Sequence, residues 1–320
     1  MTWLLTGGAG YIGAHVARSL SADGQSVVVL DDLSTGTAGR TGDVPLVEGT
    51  VLDGALVRRV LREHEVTGVV HVAAKKQVGE SVEDPLMYYR ENLTGLVTLL
   101  EACRDEGVDR FVFSSSAATY GLPDVDLVTE DTPCAPLSPY GETKLVGEWL
   151  VRDCATAFGL RAMCLRYFNV AGAASPDLGD PGVTNLVPLV LRALTSGRRP
   201  QVFGDDYPTP DGTCVRDYVH VGDIADAHLA AARALDAGAP GATYNIGRGQ
   251  GSSVLDVLGV VGEVTGLDVT HDVAPRRAGD PARIVAAVDR IRDGLGFTAR
   301  HDLRSMVESA WAAWQAAHPA

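Results

Sequence analysis

The strongest constraint on the fold is a glycine-rich turn that lies between two short apolar runs near the N-terminus. The first run is Trp3–Leu5, and the second, residues 27–30, leads directly to Asp31. Between them the turn carries three evenly spaced glycines, Gly7, Gly10 and Gly13. Glycine lets the backbone approach a phosphate closely, and the helix expected to follow, as far as about Leu20, offers free N–H groups at its start. A strand, this turn, a helix and a second strand predict a dinucleotide-binding unit, whereas the turn alone would be only a tight connection.

The end of the second strand indicates which dinucleotide binds. Asp31 would accept hydrogen bonds from an adenosine ribose, and its charge would repel a 2′-phosphate. No arginine occurs in residues 31–36 to hold such a phosphate. We therefore predict NAD rather than NADP. The alternative for Asp31 is a capping carboxylate without a ligand.

The rest of the chain alternates strand-like and helix-like segments. We expect strands at 44–51, 68–73, 110–114 and 161–168, and amphipathic helices at 55–65, 85–106 and 139–158. Strands that are apolar on both faces indicate a parallel sheet covered by helices on each side. The sequence therefore predicts an α/β fold with a Rossmann-type, doubly wound parallel sheet.

The composition changes after about residue 170. Segments 171–183 and 200–213 are rich in Gly, Pro and Asp, which is typical of long binding loops, and residues 243–247 resemble one more short strand. We predict an NAD-binding domain at 1–170, with return segments near 214–246. A smaller mixed α/β domain at 171–320 would bind the substrate, and the two domains would interleave.

Charge and cysteine content narrow the function classes. The 320 residues include 27 basic and 41 acidic side chains, a net charge of −14, which disfavours a nucleic-acid surface. The five cysteines are odd in number and lack C-x-x-C spacing, so we expect reduced thiols in a cytoplasm rather than disulfides or a metal site. No apolar run has the length of a membrane span and no basic leader precedes the first strand, so no membrane partner is expected.

Tyr140 and Lys144 are the strongest catalytic candidates. Pro139 suits the first turn of a helix, and the two side chains then lie at i and i+4 on one helix face. A tyrosine that acts as a base near neutral pH needs its pKa lowered by about 3, which corresponds to roughly 4 kcal/mol. An ammonium about 5 Å away at an effective dielectric near 20 supplies roughly 3 kcal/mol, and a cationic cofactor would provide the rest. The chain has only three lysines, so a chance pair on a solvated helix is the less favoured alternative.

Polar residues at two strand ends are expected on the same side of the sheet. Ser116 closes one strand, and Asn169 follows the next. Ligands of such sheets bind beyond the carboxyl ends of the strands. Ser116 is therefore placed to hydrogen-bond the oxygen that Tyr140 deprotonates; the alternative is a serine run that simply ends a strand.

Together these motifs resemble the extended short-chain dehydrogenase/reductase family and, within it, most closely the UDP-galactose 4-epimerases. The similarity covers nearly the whole length, from Thr6–Gly13 to residues 274–280. Besides the glycine turn and the tyrosine–lysine pair, it is carried by residues 31–34, 71–81, 167–169, 215–220 and 274–280. This ordered set is far more specific than the glycine turn.

The resemblance implies reversible C4 epimerisation of a UDP-hexose, UDP-glucose or UDP-galactose, with tightly bound NAD. Tyr140 would take the proton of the sugar 4-OH while C4 passes a hydride to the nicotinamide. The transient 4-keto sugar would turn over and regain the hydride on its other face. Lys144 would bind the nicotinamide ribose and lower the pKa of Tyr140. The family also implies a homodimer, paired through helices near 85–106 and 140–157.

The resemblance also assigns residues to the two ligands. Besides Tyr140 and Lys144, the cofactor set comprises Gly7, Gly10, Tyr11, Ile12, Asp31, Asp32, Leu33, Ser34, Thr35, Gly36, Thr50, Val51, Val72, Ala73, Ala74, Lys76, Asn92, Ser114 and Tyr167. The UDP-sugar set comprises Lys76, Ser116, Tyr140, Phe168, Asn169, Asn185, Leu186, Gln201, Val202, Phe203, Arg216, Tyr218, Arg277 and Asp280. Arg216 and Arg277 suit a diphosphate because arginine binds phosphate oxygens bidentately, although either residue would also serve in a surface ion pair.

A few positions bear on the choice of substrate. Ala117 and Ala118 follow Ser116 where related 4,6-dehydratases carry an Asp-Glu pair, so elimination of water lacks its acid and base. Thr50 stands where the family usually has an aspartate near the adenine. Arg283 falls near the position that limits the sugar's C2 substituent, and it leaves UDP-glucuronate or a UDP-pentose as alternative substrates of a 4-epimerase.

Two further interpretations are disfavoured. His71 and His220 invite a metal or base role, but no ligand spacing supports one, so we expect both to be structural. A dinucleotide-sensing protein with an inert site is the alternative from another class. Such a protein usually loses the tyrosine or the lysine, and this chain has both.

Overall fold

The computed structural model of the chain describes residues 1–277 and 279–319. Ala278, which belongs to the matched segment 274–280, and Ala320 lie outside the described residues. The strands are β1 Thr2–Thr6, β2 Ser26–Asp31, β3 Leu46–Glu48, β4 Gly68–His71, β5 Arg110–Ser116, β6 Arg161–Tyr167, β7 Asn169–Ala171, β8 Gln201–Phe203, β9 Val215–His220, β10 Ala242–Ile246, β11 Gly251–Ser253, β12 Asp272–Ala274 and β13 Arg283–Ile284. The α-helices are α1 Tyr11–Ala22, α2 Gly54–Glu63, α3 Val78–Glu83, α4 Pro85–Tyr88, α5 Gly95–Glu106, α6 Pro139–Phe158, α7 Leu186–Thr195, α8 Val221–Asp236, α9 Val254–Thr265, α10 Asp289–Leu295 and α11 Leu303–Ala317.

Seven strands form one parallel sheet, which confirms the predicted fold class. The strand order is β10-β6-β5-β4-β1-β2-β3, and every neighbouring pair is parallel. The chain runs from β1 to one edge through β2 and β3, and then returns to the other side of β1 with β4. This reversal opens a crevice at the carboxyl ends of β1 and β4, where ligands bind in such sheets.

Helices cover both faces of the sheet because the strands are apolar on both sides. On one face, Leu4 and Phe111 belong to a buried cluster with α2, α5 and α6. On the other face, Leu5 and Val112 pack with α1 and α8. Successive residues of a strand therefore point to opposite layers, and the orientation of Ser114 and Ser115 farther along β5 follows from the same alternation.

The C-terminal half builds a smaller, mixed unit. Strands β7, β9, β11 and β13 form a second sheet, in which β11 is antiparallel to β9, and β8 pairs in parallel with β12. Helices α7, α9 and α11 supply the core of this unit. The chain passes back into the first unit, because α8 packs on the main sheet and β10 forms its edge. The domain limits expected from the sequence stay a prediction.

One expected helix is interrupted. The sequence pattern predicts a continuous helix over 85–106, whereas the structure has α4, then a π-helical segment Tyr89–Thr94, and then α5. A π turn holds an extra residue and so changes which side chains face inward, and such turns are frequent at functional sites. Here the π turn carries the buried side chain of Asn92. The strand expected at 44–51 is also shorter, since only β3 pairs.

Helix α6 has the bounds that the sequence predicts. Pro139 lies in its first turn, and the Ser138 hydroxyl oxygen accepts a hydrogen bond from the Gly141 N–H at 3.2 Å. Gly159 ends the helix with a φ of 78°, a left-handed conformation that glycine adopts without strain. Within residues 1–277 and 279–319, no helix is long and apolar enough to cross a membrane.

Candidate active site

The glycine turn brings backbone against the end of β4. Gly7 has a φ of 73°, and a Cβ at this position would lie 2.6 Å from the backbone nitrogen of Ala73. A Cβ on Gly13 would lie 2.0 Å from the carbonyl oxygen of Gly7. Only glycine permits such approaches. They shape one end of a cleft that is lined by the turn and by the first residues of α1.

Asp31 lies at the end of β2 in the same cleft. Its Oδ2 accepts a hydrogen bond from the Ala9 N–H and its Oδ1 accepts one from the Leu33 N–H, both at 2.9 Å. Burial raises the pKa of Asp31, and these two hydrogen bonds lower it. The carboxylate thus ties the glycine turn to the end of β2 and also lines the cleft, and its role toward a ribose stays a prediction.

The cleft, about 480 Å³ in volume, brings together most of the predicted cofactor residues. The predicted residues that line it are Gly7, Gly10, Tyr11, Ile12, Asp31, Asp32, Ser34, Thr35, Thr50, Val51, Val72, Ala73, Ala74, Lys76, Tyr140, Lys144 and Tyr167. Four predicted residues are not part of this lining: Leu33, Gly36, Asn92 and Ser114. The cleft runs from the end of β2 to α6, so residues far apart in sequence share one surface.

Asn92 supports the wall of the cleft from behind. Its Oδ1 accepts a hydrogen bond from the Lys75 N–H at 2.8 Å. Its Nδ2 donates to the Lys75 carbonyl and to Thr143 Oγ1, both at 3.0 Å. Both donors of the amide are thus used inside the protein. Asn92 thus links the loop after β4 to Thr143 of α6, the residue that precedes Lys144.

Tyr140 lines the cleft and is hydrogen-bonded to Ser116, which is not itself part of the cleft lining. Burial raises the pKa of Tyr140, and a hydrogen bond from Ser116 lowers it, with a net upward shift. This corrects the lowered pKa expected from the i, i+4 pair. The lysine ammonium is directed elsewhere: Lys144 Nζ donates to the Ser114 carbonyl at 2.8 Å and lies 6.0 Å from the centre of the Tyr140 ring.

Lys144 is an ammonium group buried between α6 and the sheet. Burial lowers its pKa to about 8, and the carboxylate of Glu148 raises it. Its Nζ also lies 5.2 Å from the centre of the Phe113 ring, within the range of a cation–π contact. Lys144 is therefore charged at neutral pH and loses its proton only slightly above it.

His71 and His220 have structural contacts, as expected. The Nδ1 of His71 lies 2.7 Å from Thr6 Oγ1, and burial lowers the pKa of His71 to about 3. His220 Nδ1 accepts a hydrogen bond from the Gly222 N–H at 2.9 Å, and burial lowers the pKa of His220 to about 4. Both rings are neutral at pH 7. In the described part of the chain, no three His, Cys, Asp or Glu residues are grouped so that they could hold a metal ion.

Arg216, a predicted substrate residue, is already engaged within the protein. Its Nη1 donates to the carbonyl oxygens of Val215 at 2.9 Å and of Pro281 at 2.7 Å. Its Nη2 lies 3.5 Å from Asp280 Oδ1, so two predicted substrate residues form an ion pair. The structure thus places Arg216 in β9 with Asp280 against it, and their role toward a diphosphate stays a prediction.

The other predicted substrate residues, apart from Lys76 and Tyr140, lie on several elements and are not among the residues that line the cleft. The guanidinium of Arg277 lies 3.9 Å from the centre of the Phe203 ring, and Asn185 Nδ2 donates to Asp180 Oδ2 at 2.6 Å. The remaining positions are Phe168 after β6, Asn169 in β7, Leu186 in α7, Gln201 and Val202 in β8, and Tyr218 in β9. Phe203 and Arg277 therefore meet although 73 residues separate them in the sequence.

Thr50 and Arg283, the two departures from the family pattern, have different surroundings. Thr50 lines the cleft, and its Oγ1 accepts a hydrogen bond from the Leu52 N–H at 3.2 Å. Arg283 is exposed on β13, and its Nε lies 3.4 Å from the carbonyl oxygen of Asp126. The Arg283 guanidinium thus contacts the connection that follows β5, at Asp126.

Part of the cleft wall is formed by residues that the sequence patterns do not indicate. Asp180, Pro181, Gly182 and Thr184 line the cleft, as do Gln77, Glu80 and Glu91. The Tyr11 hydroxyl donates to the Gly172 carbonyl, which holds the start of this long loop against α1. The Gly, Pro and Asp content of residues 171–183 predicts a binding loop, but it does not indicate which side of the cleft the loop forms.

Known proteins with similar sequences and structures are consistent with this site. The model of the family described as "NAD dependent epimerase/dehydratase family" matches residues 3–247. A UDP-glucose 4-epimerase of Corynebacterium glutamicum is 48% identical over 317 residues, which are 98% of this chain and 95% of that protein. The structure of the UDP-glucose 4-epimerase of Stenotrophomonas maltophila with bound NAD and formylated UDP-arabinopyranose has a TM-score of 0.96 at 40% identity, covering 99% of this chain and 98% of that one. The structure of the UDP-glucose 4-epimerase of Bifidobacterium longum in complex with NAD+ and UDP has a TM-score of 0.92 at 37% identity. The match covers 100% of this chain and 99% of that one.

Replacement of Asn92 tests its role behind the wall. Asn92→Leu leaves the Lys75 N–H and carbonyl without their partner, so we expect the free energy of unfolding to fall by roughly 2 to 3 kcal/mol. Urea denaturation measures this loss. Asn169→Leu is the control, because Asn169 is exposed and the substitution should leave stability unchanged. Equal stability of the Asn92 variant and the wild type would contradict the supporting role.

Proposed function

Because the chain belongs to the NAD dependent epimerase/dehydratase family, we propose that it catalyses the reversible C4 epimerisation of a UDP-hexose, interconverting UDP-glucose and UDP-galactose. One observation carries this proposal. The half-buried Tyr140 and the buried Lys144 line one end of a cleft whose other end is the glycine turn, and Ser116 is hydrogen-bonded to Tyr140. Similarity to UDP-glucose 4-epimerases over nearly the whole chain supports the choice of reaction.

The cleft fits NAD by its shape and donors. The glycines of the turn leave space where any side chain would clash with backbone, so a pyrophosphate has access to the N-terminus of α1. Asp31 lines the cleft at the end of β2, which supports a role toward the ribose hydroxyls of an adenosine, and its charge disfavours a 2′-phosphate. Tyr167, Tyr140 and Lys144 line the other end. When bound, NAD+ supplies a hydride acceptor and a positive charge that favours the phenolate of Tyr140.

The protein's own groups carry the proton chemistry. Tyr140 takes the proton of the sugar 4-OH and later returns it, and the Ser116 hydroxyl donates a hydrogen bond that favours the phenolate. Lys144 holds a positive charge within the same buried site. Ala117 and Ala118 supply neither acid nor base, which leaves the sugar's C5 and C6 unreacted.

A substrate panel tests the proposed reaction. Purified protein with NAD is incubated separately with UDP-glucose, UDP-galactose, UDP-glucuronate and UDP-xylose, and the products are separated by chromatography. We expect UDP-glucose and UDP-galactose to be interconverted to the same equilibrium mixture from either side. No interconversion of this pair would refute the proposal, and turnover of another nucleotide sugar alone would assign that substrate instead.

Tyr140→Phe separates catalysis from cofactor binding. Loss of the phenol removes the base, so we expect turnover to fall at least a hundredfold while bound NAD, extracted and quantified, stays at the wild-type ratio. Tyr89→Phe is a matched control. The Tyr89 hydroxyl donates to Glu142 on α6, the helix that carries Tyr140, but Tyr89 is not part of the cleft lining. Unchanged turnover in the Tyr140 variant would reject this residue as the base.

We also propose that the protein is a cytoplasmic homodimer, paired through α5 and α6. Val97 on α5 and Trp149 on α6 are large exposed apolar side chains on these two neighbouring helices, and exposed apolar surface of this kind is typical of interfaces. All five cysteines are free, as suits a reducing compartment.

Trp149→Glu tests the dimer. A charge in an apolar interface should shift the mass measured by light scattering from two chains to one. Val273→Glu, which alters an exposed apolar residue on β12, should leave the mass unchanged. A monomeric wild type at micromolar concentration would contradict the dimer.

A further inference from the structure

Glu148 lies one helical turn beyond Lys144 on the inner face of α6. The spacing of Tyr140, Lys144 and Glu148 is i, i+4 and i+8, so the three side chains follow one another along one face. The Glu148 side chain is only 7% exposed. Its Oε1 accepts a hydrogen bond from Ser115 Oγ at 2.5 Å. A buried carboxylate thus lies beneath the ammonium that the reaction requires.

Arg166 on β6 neutralises this carboxylate. Its Nε donates to Glu148 Oε1 at 2.8 Å and its Nη2 donates to Oε2 at 2.5 Å, a bidentate pair. The Arg166 side chain is 8% exposed, and its Nη1 donates to the Tyr120 hydroxyl at 2.8 Å. A buried ion pair of this kind is weak evidence for stability, since desolvation offsets most of the attraction. The position of this ion pair next to Lys144 indicates a role other than stability.

The other titratable groups that face Lys144 and Glu148 are neutral at pH 7. Burial lowers the pKa of His71, from β4, to about 3, and that of His228, from α8, to about 4. Burial also raises the pKa of Cys164 and of Tyr167, both on β6. Together with Tyr140 itself, these groups carry no charge. The charge that shifts the pKa of Lys144 is therefore the Glu148 carboxylate, and Arg166 is paired with that carboxylate.

We propose that the Glu148–Arg166 pair is a positioning pair that holds Lys144 as an ammonium beside Tyr140. The inference rests on the proposed function for its catalytic meaning, but the charge of Lys144 is measurable without substrate. Glu148 attracts the ammonium, and Arg166 limits this attraction by partly cancelling the carboxylate. The two residues therefore act on Lys144 with opposite sign.

This opposition predicts shifts in opposite directions. Without either charge, as in Glu148→Gln/Arg166→Gln, Lys144 loses its attraction, and its titration midpoint should move from about pH 8 to lower pH by about one unit. With Arg166→Gln alone, the carboxylate is uncompensated, and the midpoint should move to higher pH. A purely structural pair would not produce shifts of opposite sign.

The small number of lysines makes a direct measurement feasible. With lysine labelled by ¹³C at Cε, NMR of the protein saturated with NAD should give three signals, from Lys75, Lys76 and Lys144. The signal missing in Lys144→Arg is that of Lys144, and its chemical shift is followed from pH 6 to pH 11. Glu130→Gln is the matched control. Glu130 is also a buried carboxylate, whose Oε1 accepts from the Asn245 N–H at 2.8 Å, and its loss should leave the Lys144 midpoint in place.

Folding and activity complete the test. Thermal melting shows whether each variant folds, and the double variant replaces the Glu148–Arg166 ion pair by two neutral amides that can hydrogen-bond to each other. An unchanged Lys144 titration midpoint in the double variant overturns the proposal. Failure of the double variant to fold also overturns it, because the ion pair is then required for folding. In wild type and variants, the alkaline limb of kcat/KM for UDP-galactose should move with the NMR midpoint. If the wild type does not turn over UDP-galactose, the proposed function fails while the NMR result still decides the charge of Lys144.

Discussion

The site depends on one buried positive charge. Lys144 lies between α6 and the carboxyl end of β5, and its ammonium donates to the Ser114 carbonyl. An ion removed from water is tolerated only where partners surround it, and here these are a carbonyl, the Phe113 ring face and the carboxylate of Glu148. This requirement fixes the rotation of α6 about its axis. The face that carries the lysine must turn inward, and Trp149 on the opposite side stays in solvent.

Backbone groups, rather than side chains, build much of the cleft. The glycine turn approaches Ala73 so closely that no Cβ fits, and the loop after β4 is held by the amide of Asn92. Buried N–H and C=O groups must be paired, so these contacts satisfy the backbone while they set the width of the cleft. The π turn that carries Asn92 serves this arrangement, because it directs an amide inward from a helix that otherwise presents apolar residues.

In the C-terminal unit, the two arginines predicted to bind the substrate already have partners within the protein. Arg216 contacts Asp280 and two carbonyl oxygens, and Arg277 lies over Phe203. In a chain with a net charge of −14, these two arginines are already oriented by neighbours. A guanidinium held in place loses less side-chain entropy on binding than a free one does. If these arginines bind the diphosphate as predicted, their local arrangement rather than the overall charge determines the site.

Local sequence patterns were sufficient for the parallel sheet, the bounds of α6, the glycine turn with Asp31, and the placement of Tyr140 and Lys144 on one helix face. Each of these follows from spacing and from residue preferences within a few turns or strands. The break in the helix at residues 89–94, the wall formed by residues 180–184, the upward pKa shift of Tyr140 and the pairing of Arg166 with Glu148 were decided only by the tertiary structure. The physical reason is that desolvation and hydrogen-bond pairing depend on which distant groups meet. Tyr140 and Lys144 are neighbours by sequence, but the direction of the ammonium is set by a carbonyl 30 residues away.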